Sequence, residues 1–118
     1  MDHHFKSYLR PLRRRWGFTQ HELAYLFGVT SRTVVSRIES GQRTPSLGAA
    51  LALALIFDAS YPQLFPEVAF DVQETVLRRA NELYEALQGD PSKTTRIKLD
   101  FLEELIARTE KQRADEAV

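Results

Sequence analysis

Arg32, Thr33, Ser36 and Arg37 are the residues of this chain whose types and spacing could do recognisable chemistry. A guanidinium fork can span the two acceptors on a guanine edge, and a threonine methyl can pack on a thymine methyl. At 3.6 residues per turn these four positions share one side of a helix whose other side holds Val35 and Ile38. So thin an apolar seam beneath so polar an outer face suits the floor of a DNA groove. Val34 is placed for an apolar contact near that groove. Gln20, at the start of the preceding helix, is expected to reach a phosphate with help from the helix's positive end, and Arg43 in the following loop is a second phosphate candidate. The candidate nucleic-acid contacts are therefore Gln20, Ser31, Arg32, Thr33, Ser36, Arg37 and Arg43.

The elements that must position them are legible from caps and periodicity. Thr19 with Glu22 three residues later forms a capping box, and Leu23, Ala24, Leu26 and Phe27 give the helix that follows an apolar face. Gly28 ends that helix, Thr30 or Ser31 caps the next, and Gly41 stops it. Upstream, Ser7 is expected to cap a first helix running to Trp16, with Leu9, Leu12 and Trp16 on its buried side. Pro11 falls among the first N–H groups, which lack intrahelical partners anyway. Downstream, Ser46 caps a helix (LGAALALALIF) apolar on almost every face, which should be covered on two sides. Ser60 to Phe65 forms a short helix that pins Leu64 and Phe65 into the core.

Pro66 marks a boundary. Beyond it Ala69, Val72, Val76, Ala80, Leu83 and Leu87 recur at three- and four-residue intervals, a coiled-coil-like seam of about five turns. Gly89 ends that helix, Asp90 caps the last one, and Pro91 takes its first position. The last helix carries Ile97, Phe101, Leu102, Leu105 and Ile106 before a charged tail, Glu110 to Val118, that is expected to fray. No alternating pattern argues for a strand, so the fold class is all-α.

Gln20-x-Glu22-Leu23-Ala24, Gly28-Val29, Ser36-Arg37-Ile38-Glu39-x-Gly41 and Pro45-Ser46-Leu47 together resemble the XRE/Cro-type helix-turn-helix of phage repressors and small bacterial regulators. The resemblance spans roughly Ser7 to Phe65. It implies a five-helix repressor-like DNA-binding domain over 1–66; it does not cover the rest, where the seam and caps described above predict a C-terminal helical hairpin over 67–118, expected to serve dimerisation or partner binding. It also implies a structural ion pair between Arg13 of the first helix and Glu39 at the end of the third. The interval from Gly28 to Gly41 is 13 residues, one more than the family pattern, which puts the extra residue in the turn among Val29, Thr30 and Ser31. A protein so built is expected to regulate transcription, as a repressor on a palindromic operator. One recognition helix reads only a few base pairs, so a homodimer on double-stranded DNA is expected. An antitoxin-like module, whose hairpin holds a partner protein, shares the same N-terminal pattern.

Composition narrows the classes. Without cysteine, disulfides and thiolate metal sites are excluded. No Ser/His/Asp set, metal-ligand spacing or Gly-rich phosphate loop is present; no catalytic residue, cofactor or metal is expected. His21 is expected on the exposed side of its helix, His3 and His4 in a mobile N-terminus, and Glu103 and Glu104 on solvated helix faces. MDHHFKSYLR has no apolar signal segment, and the apolar run Leu47–Phe57 is far short of a membrane span, so a cytoplasmic protein is expected. The zero net charge hides polarity: residues 1–66 hold eight basic and four acidic residues, while 67–118 hold eight basic and twelve acidic. The net +4 half is the natural phosphate-facing half, and Arg10, Arg14 and Arg15 form its solvated basic face.

Overall fold

The computed structural model describes residues 4–29 and 31–116, and all of its regular structure is helical. The helices are α1 (Leu9–Arg15), α2 (Gln20–Leu26), α3 (Arg32–Glu39), α4 (Leu47–Phe57), α5 (Tyr61–Leu64), α6 (Pro66–Ala86) and α7 (Lys93–Glu116). The chain divides into two compact units, Met1–Phe70 and Asp71–Val118, with α6 running through the division. Pro66, the expected boundary, is thus the first residue of a helix.

Local chemistry sets the helix starts of the first unit. Thr19 accepts the Glu22 N–H at 3.1 Å while the Glu22 carboxylate accepts the Thr19 N–H at 2.9 Å, closing the capping box. Ser60 and Gln63 close a second one on α5, and Ser46 caps α4 through the Ala49 N–H. Ser31 caps α3 by accepting from Thr33 N–H at 3.1 Å. Thr30, the other candidate cap, lies outside the described residues.

Leu9, Leu23, Ala24, Val35, Ile38, Leu53, Leu64 and Phe65 form the core of this unit. Ahead of α1, the N-terminal segment is pinned at both ends: Phe5 N–H donates to Gly41 O at 3.1 Å and Tyr8 N–H to Leu64 O at 2.9 Å. The Phe5 ring meets Phe65 edge-on with centroids 6.0 Å apart. Gly41, at φ +79°, has no room for a side chain, because a Cβ there would overlap the Phe5 carbonyl.

Two expectations for α1 are corrected. The helix starts at Leu9 after Tyr8, and Ser7 only accepts from Leu9 N–H at 3.3 Å, two residues on, in a local turn. Trp16 is 64% exposed rather than buried. The helix ends before it, and the inward side that Trp16 would share is taken by Leu9 and the buried Arg13. The Trp16 ring instead lies 5.8 Å from the Arg15 guanidinium. On α4, Ala49 and Leu53 enter the core, while Leu47, Leu51 and Leu55 are exposed rather than covered.

In the second unit, Ala80 of α6 and Thr95, Leu99, Leu102 and Thr109 of α7 are buried. Tyr84 donates its hydroxyl to Glu103 at 2.7 Å between the two helices, so Glu103 is not merely solvated. That bond, with burial and the charge of Glu103 behind it, raises the phenol's pKa. Of the expected seam, Val72, Val76 and Leu83 are exposed, as are Ile97 and Phe101. A three-four repeat fits two adjacent stripes on one helix, and here the inward one is centred on Ala80. The cap of α7 is Ser92, which accepts Thr95 N–H at 3.1 Å; Asp90 braces it by accepting from Ser92 N–H and the Thr95 hydroxyl, each at 2.9 Å. Pro91 therefore precedes the helix. The charged tail remains helical to Glu116.

Candidate nucleic-acid interface

Helix α3 is held from beneath and left open above. Val35, Ile38 and Glu39 are buried, whereas Ser31, Arg32, Thr33 and Arg37 are exposed and Ser36 is half-buried. Arg32 and Thr33 are exposed in the first turn, at the positive end of the helix, where the Thr33 N–H is capped by Ser31. Arg37 follows one turn later, and Arg43 is exposed in the loop beyond Gly41. Val34 turns partly inward and packs against the core, away from the position expected for it near the groove.

The underside of α3 is fixed by one carboxylate. Glu39 Oε2 accepts from Arg13 Nε at 2.5 Å. Its Oε1 accepts from Arg13 Nη2 at 3.2 Å, Arg10 Nε at 3.2 Å and Gln20 Nε2 at 3.1 Å. Arg13 spends its remaining arm on the Phe18 carbonyl at 2.8 Å, tying the α1–α2 turn into the same cluster. The fork-on-carboxylate geometry joins the end of α3 to α1 and to the start of α2, so α3 cannot rotate without breaking charge-assisted bonds. Burial acts to raise the Glu39 pKa and is the largest single influence. The hydrogen bonds from Arg13, Gln20 and Arg10, with the charge of Arg13, together outweigh it, and the pKa lies below the ordinary glutamate value.

Two residues take places the sequence did not suggest. Arg10, expected among solvated cations, is half-exposed and paired to Glu39. Gln20, expected on a phosphate, has its side-chain amide on Glu39, which holds the residue at the N-terminus of α2. The partners lie 29 and 19 residues apart in sequence. The resemblance that paired Arg13 with Glu39 was the only signal leading there. Arg14, Arg15 and His21 are exposed. Among the described residues no three His, Asp or Glu side chains gather as a metal site, and no helix is long and apolar enough to cross a membrane.

Comparison with known proteins converges on the same segment. Residues 6–65 match the family described as a helix-turn-helix domain. An uncharacterised HTH-type transcriptional regulator of Archaeoglobus fulgidus is 38% identical over 69 residues, covering 58% of this chain and 93% of that protein. The uncharacterised HTH-type transcriptional regulator YgzD of Bacillus subtilis is 37% identical over 60 residues, covering 51% of this chain and 89% of its own length. No solved structure matches significantly.

Proposed function

This chain belongs to the helix-turn-helix family of DNA-binding transcriptional regulators, and we propose that within it the protein is a sequence-specific repressor binding a palindromic operator as a homodimer. The observation that carries this reading is the division of α3: Val35, Ile38 and Glu39 anchor it, while Arg32, Thr33 and Arg37 are exposed on its open side, behind the Ser31 cap. Arg32, Thr33, Ser36 and Arg37 read bases; Gln20, held at the α2 N-terminus, and Arg43 contact phosphates; Ser31 caps the reading helix beside the backbone. No catalytic step is part of this reading, and a cytoplasmic location goes with it.

Dimerisation is assigned to residues 67–118. With Ala80 inward on α6 and Thr95, Leu99 and Leu102 inward on α7, helical periodicity puts Val72, Val76, Leu83 and Phe101 on one side of the hairpin. These four are 43–56% exposed, an apolar side of the kind that four-helix interfaces bury. Sedimentation of the full chain at micromolar concentration tests this: a dimer is expected, and replacing Val76 and Leu83 with Glu should dissociate it without melting the N-terminal unit. A wild-type monomer that binds a single half-site tightly would overturn it.

One observation favours the antitoxin-like reading, in which the same side holds a partner protein. The charged residues that periodicity places beside those apolar groups are Arg79, Lys98 and Arg108, all exposed and all basic. Arg108 lies 5.8 Å over the Phe101 ring. None of the three forms a salt bridge among the described residues, a fringe suited to an acidic partner. A wild-type monomer in sedimentation would favour this reading over the homodimer.

A further inference from the structure

A cavity of about 460 Å³ lies in the first unit, between α1 and the corner where α4 turns into α5, and no residue of α3 lines it. Its size is that of a small-molecule site. Tyr8, Leu12 and Arg15 form one wall, at the spacing of four and three that keeps them on one side of α1. Phe57, Asp58 and Gln63 stand across from them. The polar groups among these residues are left unused by the protein. Among the described residues, the Tyr8 hydroxyl, the Arg15 guanidinium and the Asp58 carboxylate have no hydrogen bond or ion pair. Gln63 accepts from the Ser60 N–H through Oε1 and keeps its Nε2 hydrogens free. Asp58 is also the one non-glycine residue at positive φ among those described. It ends α4 at φ 48° and ψ 50°, backbone that glycine takes without strain, and brings a carboxylate to the cavity wall instead.

Charge selects the ligand class. A phosphate or a simple carboxylate would meet Arg15 but also the like charge of Asp58, and a polyamine would meet the reverse. A molecule with a cation and an anion close together satisfies both residues. Leu12 and Phe57 between them suit a hydrocarbon or aromatic body. A free amino acid with an apolar side chain has all three parts. We propose that this cavity binds such an amino acid, its carboxylate on Arg15 and the Gln63 amide and its ammonium on Asp58. The helix that forms one wall also carries Arg10 and Arg13, which hold Glu39, so the site adjoins the brace of α3.

Trp16 is the single tryptophan, and its ring lies 5.8 Å from the Arg15 guanidinium, so its fluorescence reports a ligand arriving on Arg15. The full chain is titrated with L-phenylalanine and with L-leucine, followed by Trp16 emission and by calorimetry. Saturable binding of at least one, half-complete at about 1 mM or below, is expected. The N-acetyl derivative lacks the cation and the amide lacks the carboxylate, and each should bind about tenfold more weakly. Asp58→Asn keeps a residue suited to left-handed backbone, and Arg15→Gln keeps a good helix former, so both variants retain the fold. Each should weaken binding about tenfold. No saturation by about 10 mM of either amino acid would overturn the inference. So would equal binding of either derivative, or affinity unchanged in either variant. None of these outcomes involves DNA, so the DNA-binding reading stands or falls separately.

Discussion

Arg13 Nε lies 2.5 Å from Glu39 Oε2, a bond that spans 26 residues and locks the end of α3 to α1. Both side chains are nearly inaccessible, at 10% and 0% exposed. Removing either partner strands a buried charge. Glu39→Ala should therefore cost about 3–5 kcal/mol of folding stability, measured by urea denaturation, and Arg13→Ala a similar amount. A loss under about 1 kcal/mol would mean the pair contributes no more than an exposed one.

The same carboxylate makes stability depend on acid. Its folded pKa lies below the ordinary value, so its contribution is fully present above the unfolded pKa of about 4.3 and is lost as pH falls through the folded pKa. Unfolding free energy should be nearly flat around neutrality and drop on the acid side of that value. Glu22 and Asp90, lowered chiefly by the backbone N–H groups of Thr19 and Ser92, titrate in the same direction. Glu39→Gln should be less stable at neutral pH and show a shallower acid slope. An unchanged slope would remove Glu39 as its source.

Gly41 and Gly28 both sit at positive φ, at +79° and +78°, but only Gly41 is crowded. Gly28→Ala should cost about 1 kcal/mol for left-handed backbone alone. Gly41→Ala should cost about 2–3 kcal/mol, since the new Cβ also displaces the Phe5 carbonyl and loosens the N-terminal segment. Equal losses from thermal or urea melts would contradict the close approach of Phe5.

Much of this architecture was legible in the sequence because its signals are local. The Thr19–Glu22 box, Ser46 and the glycine stops act within four residues, and each is found where its spacing put it. Ser7 and Asp90 misled because serine and aspartate also make two-residue turns, and those are the bonds they form. Trp16 misled because one residue of helix length decides which way it faces. Val76 and Leu83 share a periodic stripe with Ala80, and periodicity alone does not say which edge of a broad stripe the partner helix takes. The convergence of Arg10 and Gln20 on Glu39 depends on tertiary packing, which no local pattern encodes.

At the groove, Arg32→Ala should cost about 1–3 kcal/mol on the best site and relax preference at one base pair. Gln20→Ala should weaken all sequences alike, because neither a phosphate contact nor the brace its amide gives Glu39 carries sequence information. Binding titrations across single-base operator variants separate the two. Uniform loss from Arg32→Ala would demote it to a backbone contact.

Affinity should fall steeply with added salt as neutralised phosphates release counterions. Arg43→Ala should reduce the log–log slope by about one while leaving sequence preference unchanged. A slope near zero would exclude the basic half of the chain as a phosphate-facing surface.

Selecting bound sequences from a random pool of double-stranded DNA tests the central claim most directly. Two copies reading with α3 should enrich a pair of inverted half-sites centred about 10 base pairs, or a multiple of that, apart. Arg32→Ala should blur one position in each half. Recovery of unenriched DNA, or of a single asymmetric element indifferent to Arg32→Ala, would contradict a dimeric regulator that reads DNA through this helix.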